Sequence, residues 1–234
     1  MTAFFSSNFL VIAHRGASAE APENTLPAFA RALAVGAPAV ELDVYAAHGE
    51  LWVIHDDALD RTTNGTGRLE DHDPATLRGF DAGGGAVIPT LTEVLDLIGA
   101  RAGVNIELKG PGTAEPVCAL LAKRNTPPEQ IVLSAFDHRE LETAKALAPQ
   151  WPRGALFGKD PSDAVAKGRA LGAASLNFAD RTVTEALLSE AQSAGFKTLI
   201  YTVNDRTRAR ELRDWGASGI FCDDPGAMIA AVSC

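Results

Sequence analysis

Phe9-Leu10-Val11-Ile12-Ala13-His14-Arg15-Gly16 opens the regular part of this 234-residue chain: an apolar strand that stops on an imidazole and a guanidinium. A doubly wound dinucleotide-binding sheet would follow its first strand with GxGxxG, and no such motif follows here. Outward from this stretch, short apolar runs alternate with segments of helical period. Candidate strands cover residues 10–14, 39–44, 104–108, 130–134, 153–157, 174–178, 197–202 and 219–222. Candidate helices cover 26–35, 91–100, 115–124, 138–147, 162–171, 184–194, 205–215 and 226–232. Strands bounded by turn residues and separated by helices mark βαβ units and a parallel sheet. Eight of each close most naturally as an α/β (β/α)8 TIM barrel.

Helix punctuation agrees with that reading. Thr90 followed by Glu93 is a capping box, and Asp137 with Glu140 has the same form. Gly36, Gly99, Gly172, Gly195 and Gly216 stand where helix ends call for a left-handed residue. Between Val44 and Leu91 the rhythm breaks, because the segment is too long for an ordinary βα connection. It holds a hairpin-like piece from His48-Gly49-Glu50 into Leu51-Trp52-Val53-Ile54-His55. A turn-rich Arg61-Thr62-Thr63-Asn64-Gly65 and the triple glycine 83–85 follow. The triple glycine reads equally as a mobile lip over the site or a tight crossing. The expectation is one domain over 1–234 with an insertion at about 45–90, over the catalytic mouth.

Composition narrows the function. A net charge of −9 and no Lys/Arg cluster argue against nucleic acid or an anionic membrane surface as partner. A small phosphate can still bind locally, since distant charge is screened over about 8–10 Å. Cys118, Cys222 and Cys234 form neither a CxxC pair nor a disulfide framework. No signal peptide or membrane span is read, so a cytoplasmic location is expected. Monomer and homodimer are both compatible with the composition.

The chemistry sits at strand ends. In Val40-Glu41-Leu42-Asp43-Val44 the period of two puts Glu41 and Asp43 on one face, inward in a barrel. Asn105-Ile106-Glu107-Leu108-Lys109 repeats the pattern, with Glu107 and Lys109 sharing the face of Asn105. Inward carboxylates repel unless a cation joins them. Glu41, Asp43 and Glu107 make a hard-oxygen site for one divalent cation, Mg²⁺ or Ca²⁺. The plain alternative is an ion-pair cluster with Lys109. His14 on the preceding strand and Glu107 on the next favour the metal. Of five histidines, His48, His72 and His138 fall in turns, a polar tract and a helix start. His14 and His55 each close an apolar strand beside charged residues, and flanking a metal-bound phosphate they would be a general base and a general acid, imidazole being the side chain suited to both roles near neutral pH. No GxSxG elbow surrounds Ser134, and Cys222 reads as a packed small residue. Trp52 and Trp215 read as packing residues.

In order along the chain stand His14-Arg15-Gly16, Pro22-Glu23-Asn24-Thr25, Glu41-x-Asp43, His55-Asp56, Arg61-Thr62-x-Asn64-Gly65 and Glu107-x-Lys109. Leu133-Ser134-Ala135-Phe136, Tyr201-Thr202-Val203-Asn204 and Gly219-Ile220-Phe221-Cys222-Asp223 follow. This ordered set resembles the glycerophosphodiester phosphodiesterase family over essentially the whole chain, nearest its short bacterial cytoplasmic members. The resemblance implies a barrel that hydrolyses glycerophosphodiesters, such as glycerophosphocholine or glycerophosphoethanolamine, to glycerol 3-phosphate and an alcohol. It implies metal binding by Glu41, Asp43 and Glu107, acid–base work by His14 and His55, and phosphate binding by Arg15 and Lys109. It further implies attack by the glycerol 2-hydroxyl and a cyclic phosphate that water opens. Tyr201 stands where many members have Trp and would form a substrate wall. Cys222 replaces a frequent Thr and Ala135 a frequent Ser. These changes bear on head-group preference and leave the reaction type intact.

Two other readings share the pattern. A lyase or phospholipase that stops at the cyclic phosphate would suit a secreted, disulfide-bonded chain with long lipid-facing loops, and this sequence has neither an apolar loop patch nor a cystine framework. A silent phosphate-binding barrel would have lost a histidine or a carboxylate, and none is lost.

Overall fold

The computed structural model describes residues 3–5 and 7–232; Cys234 lies outside the described residues. Its strands are β1 (Leu10–Ala13), β2 (Ala39–Ala47), β3 (Glu50–Val53), β4 (Gly103–Leu108), β5 (Ile131–Ala135), β6 (Arg153–Phe157), β7 (Ser175–Ala179), β8 (Lys197–Tyr201) and β9 (Gly219–Cys222). The helices are α1 (Leu26–Ala34), α2 (Pro74–Leu77), α3 (Leu91–Ile98), α4 (Ala114–Lys123), α5 (His138–Leu147), α6 (Ala164–Leu171), α7 (Glu185–Ser193), α8 (Arg206–Asp214) and α9 (Pro225–Val232).

Strand order β1-β9-β8-β7-β6-β5-β4-β2, with β2 pairing back onto β1, closes eight parallel strands into a (β/α)8 barrel. All eight expected strands and eight expected helices are present, with ends displaced by at most two residues except that of β2, which runs three residues further, to Ala47. The far end of β2 runs past the barrel rim and pairs antiparallel with β3, from Val44 opposite Val53 to Ala47 opposite Glu50. No helix among the described residues is long and apolar enough to cross a membrane.

Strand alternation sorts the side chains into two layers. Val40, Leu42 and Val44 of β2, with Val104, Ile106 and Leu108 of β4, face outward into the helix layer beside Phe29, Leu91 and Val94. The opposite parity fills the barrel. At its lower end Leu10, Ile12, Ala39, Val132, Leu199 and Phe221 pack with Phe4 and Phe5 from the N-terminal turn. Above this apolar floor the inward positions turn polar: Glu41, Asp43, Asn105, Ser134, Ser175 and Asn177 are all buried. Buried polar groups on this scale need partners or a ligand.

The insertion builds a core of its own from Trp52, Ile54, Leu59, Leu69, Leu77, Ala82 and Ile88. Its helix α2 was not legible in the sequence, being four residues long. The triple glycine contains a tight crossing: a Cβ on Gly83, at φ +106°, would lie 2.9 Å from Pro22. The amides of Gly83 and Gly85 both donate to Asp81 Oδ1, which pins the turn.

Helix punctuation is mostly as read. The Thr90–Glu93 capping box forms, and the five helix-end glycines all have positive φ. Asp137 and Glu140 differ from expectation. Asp137 caps α5 through the Arg139 amide, but Glu140 turns away to accept from the amides of Gly112 and Ala114 at the start of α4. The unpaired amides at the start of α4, whose N-cap Thr113 makes no side-chain bond to them, out-compete the local box.

Candidate active site

The loop after β1 is built around one close approach. Gly16 sits at φ +83°, and a Cβ there would meet Ala28 of α1 at 2.7–2.9 Å. The turn throws Arg15 into the left-handed region at φ 58°, a conformation that non-glycine residues reserve for special sites. Its amide thereby reaches Glu41 Oε2 at 2.9 Å. Asn24, at φ 58° too, donates to Asp43 Oδ2 at 2.8 Å, and Thr25 caps α1. Pro22-Glu23-Asn24-Thr25 is thus a bracket that holds the first loop onto the carboxylates of β2.

Glu41, Asp43 and Glu107 present oxygens that lie within 4.8 Å of one another. Asp43 pairs in register with Glu107, and Glu41 with Asn105. Burial, reinforced by Asp43 and Glu107, pushes the Glu41 carboxyl well above its usual range. Glu107 is pushed up to about 7 by burial and by Asp43, with Lys109 acting against the rise. Lys109 Nζ lies 2.9 Å from Glu107 and 3.7 Å from Asp43. Arg15 Nε faces Asp43 Oδ2 at 3.3 Å without hydrogen-bond alignment. Two cations do not balance three ionised carboxylates, and the raised Glu41 and Glu107 show how the cluster copes without a further cation: its carboxyls hold protons that a bound cation would displace. The side-chain oxygen of Asn105, buried in the same cavity wall, has no partner. A hard-oxygen donor set of this charge fits Mg²⁺ or Ca²⁺.

His14 and His55 flank the carboxylates, and each is oriented from behind by an acid. His14 Nδ1 meets Asp223 Oδ1 at 2.8 Å; Asp223 is fixed by Asn204 at 2.6 Å and by Ser18 at 3.2 Å. His55 Nδ1 meets Asp56 Oδ1 at 2.6 Å, and its Nε2 lies 3.4 Å from Lys109 Nζ. Carboxylates at Nδ1 commit that nitrogen as the donor and leave Nε2 for proton transfer. Burial holds the His55 pKa below its usual value, with Lys109 and Arg15 contributing and Asp43 opposing. Asp223 is held below the carboxylate range despite its burial, because His14 and Asn204 bond to it.

A cavity of about 150 Å³ is lined by His14, Arg15, Glu41, His55, Glu107 and Tyr201, with Asn105 and Ser134 at its polar floor. Phe136, Leu156 and Phe221 complete an apolar wall. Asp43 and Lys109 join through their contacts with Glu107 and Arg15. Every site residue expected from the sequence therefore converges here. The expected strand end at His55 does not hold: β3 stops at Val53, and only the Ile54 amide continues the pairing, to Asp43. The Tyr201 hydroxyl is turned from the cavity to donate to the Phe157 carbonyl at 2.8 Å, so the wall presents its ring. Phe136 stands edge-on to that ring at 5.8 Å and is 48% exposed. Sequence reasoning quoted Asp56, Asn24, Asn204 and Asp223 without a role. The available signal was their polar type just beyond strand ends for Asp56, Asn204 and Asp223, and just before the Thr25 cap of α1 for Asn24.

A profile of the glycerophosphoryl diester phosphodiesterase family matches residues 14–227. A glycerophosphodiester phosphodiesterase of Caldanaerobacter subterraneus subsp. tengcongensis is 35% identical over 237 residues, covering 95% of this chain and 97% of that protein. One of Bacillus subtilis is 31% identical, covering 92% of this chain and 84% of that protein. Among solved structures, an Oleispira antarctica phosphodiesterase in complex with the product sn-glycerol-3-phosphate superposes with a TM-score of 0.88 at 33% identity, covering 96% and 97% of the two chains.

Proposed function

The chain belongs to the glycerophosphoryl diester phosphodiesterase family and is a phosphoric diester hydrolase, and on that premise we propose that it converts glycerophosphodiesters, glycerophosphocholine and glycerophosphoethanolamine among them, to glycerol 3-phosphate and an alcohol. The observation that carries this reading is one cavity in which two carboxylate-oriented histidines flank three carboxylates and two cations. The relative solved with sn-glycerol-3-phosphate supports the product half of the reaction.

Glu41, Asp43 and Glu107 would hold one Mg²⁺ or Ca²⁺, with Asn105 beside them. A bound divalent cation supplies charge neutralisation at the phosphate oxygens. Arg15 and Lys109 add charge-assisted hydrogen bonds to those oxygens. Among the described residues no protein nucleophile is poised in the cavity: Ser134 accepts from the Asn105 amide at 2.8 Å, and burial raises the Cys222 thiol far out of range. The substrate's own 2-hydroxyl fills that role. One imidazole takes the hydroxyl proton at Nε2 while the oxygen attacks phosphorus. The bond to the leaving alcohol breaks, and the other imidazole protonates the departing oxygen. With the roles reversed, water opens the cyclic phosphate to glycerol 3-phosphate. The aromatic wall of Tyr201 and Phe136 would pack against substrate carbon. Residues 45–90 serve as an insertion in a single catalytic domain, and a cytoplasmic setting suits the free thiols.

Glycerol 3-phosphate release from glycerophosphocholine by purified protein, with chelator and then with Mg²⁺ or Ca²⁺ returned, tests the reading. Release that stops with chelator and resumes with metal is expected. Accumulation of the cyclic phosphate alone would favour the lyase.

A further inference from the structure

The two histidines are braced differently, and the difference reaches the phosphate-binding arginine. Behind His14, the outer oxygen of Asp223 is held by the neutral amide of Asn204 at 2.6 Å. Behind His55, the outer oxygen of Asp56 is held by the guanidinium of Arg61. The same guanidinium turns its other two nitrogens onto Glu23: Nη1 to Oε2 at 3.0 Å and Nη2 to Oε1 at 2.9 Å. Glu23 Oε1 in turn accepts from Arg15 Nη1 at 2.8 Å. His55, Asp56, Arg61, Glu23 and Arg15 thus form one unbroken chain of hydrogen bonds, with charge alternating from Asp56 to Arg15. It runs from a proton-transfer group on the insertion to a phosphate-binding group on the loop after β1.

We propose that Arg61 is a positioning residue that fixes the distance between His55 and Arg15 through Asp56 and Glu23. The inference rests on the diesterase reading given above. His55 and Arg15 belong to segments without a shared strand, because β3 ends at Val53 and β1 at Ala13. Something must set their spacing, since proton transfer and phosphate binding act on one substrate. A planar guanidinium suits the task, since its fork can meet one carboxylate with two parallel bonds and a second with its Nε. The loop that carries Arg61 does not need that fork for its own order. Its backbone is tied by Leu59 to Gly67, by Thr63 to Leu59 and by Asn64 to Asp81. Leu59 is also fully buried in the insertion core. Arg61 itself is 47% exposed, so solvent screens its ion pairs, and the backbone bonds and buried Leu59 hold the loop without them.

The test uses the full-length protein with glycerophosphocholine and its activating metal, comparing wild type, R61A and R61K. Misplacing a reacting group by about 1 Å costs up to about 100-fold, so R61A should lose about 10- to 100-fold in kcat. KM should change far less, and the melting temperature should barely move. Millimolar guanidinium chloride should restore part of the lost kcat in R61A, and R61K should fall between R61A and wild type, since one ammonium cannot hold both carboxylates as the fork does. A kcat within about twofold of wild type in R61A overturns the inference. So does a loss that neither guanidinium nor lysine restores, which would mark a merely structural residue. Wild-type protein inactive on every glycerophosphodiester and metal tried would instead overturn the diesterase reading, and the inference with it.

Discussion

Asp43 and Glu107 are register partners across the parallel β2–β4 pairing, so the main chain itself places two carboxylates side by side at the mouth of the barrel. Glu41 stands two residues before Asp43 on the same inward face. Side chains anchored this way cannot relax apart without breaking the barrel. The protein carries a built-in repulsion that a bound divalent cation would relieve.

That repulsion gives stability a pH dependence with a definite sign. Glu107 is pushed up to about 7, so between about 4.5 and 7 the folded chain keeps a proton that the unfolded chain releases. Stability of the metal-free protein from this group therefore falls as pH rises through that window. His55, held below its usual value, acts in the opposite sense, and the comparison with E107Q separates the two. Wild type should lose stability relative to E107Q between about pH 5 and pH 7, by on the order of 3 kcal/mol at most. Parallel pH curves in thermal unfolding would contradict the assignment.

Metal should reverse that loss. Adding Mg²⁺ or Ca²⁺ at about pH 7 is expected to raise the melting temperature of wild type and to release protons on binding. E107Q removes one charged oxygen ligand, and calorimetric titration should show affinity weaker by at least about tenfold. An unchanged titration would take Glu107 out of the metal site.

The brace behind His14 predicts a tautomer effect. Asp223 accepts from Nδ1, whereas the amide of D223N can offer a donor there and favour the wrong ring proton. A loss of about 10- to 100-fold in kcat is expected, with folding intact by circular dichroism. Replacing His14 with Ala removes the proton-transfer group itself and should cost about 10²- to 10⁴-fold while metal binding persists. Wild-type turnover in either variant would refute the assigned role.

How much of this was legible in the sequence depends on the distance along the chain. Alternation in Val40–Val44 is a local signal. It placed Glu41 and Asp43 inward without any knowledge of their neighbours, because strand period alone decides the face. Closure into a barrel was legible for the same reason, from eight short strands with helices between. The brace from Asp223 to His14 spans 209 positions, and that from Arg61 to Glu23 spans 38. Nothing in local pattern says which acid will lie behind which imidazole once the barrel closes. Glu140 makes the point in reverse: its local spacing to Asp137 read as a capping box, yet the unpaired amides of a different helix claimed it.

The insertion core offers a separate stability test. Leu59 and Leu77 are fully buried among Trp52, Ile54 and Ile88, away from the helix layer. Leu59→Ala should cost about 2–5 kcal/mol through lost burial and a residual cavity. Because His55 sits on this insertion, the loss should be accompanied by a fall in activity. An unchanged melting temperature would mean that the insertion does not unfold with the barrel.

The most direct test of the account is phosphorus NMR of turnover on two substrates, glycerophosphocholine and the analogue lacking the glycerol 2-hydroxyl. If the substrate's own hydroxyl is the nucleophile, the first is converted to glycerol 3-phosphate in a metal-dependent way, and the second occupies the site as an inhibitor but is not cleaved. Cleavage of both at comparable rates would contradict the mechanism and require water to attack the diester directly.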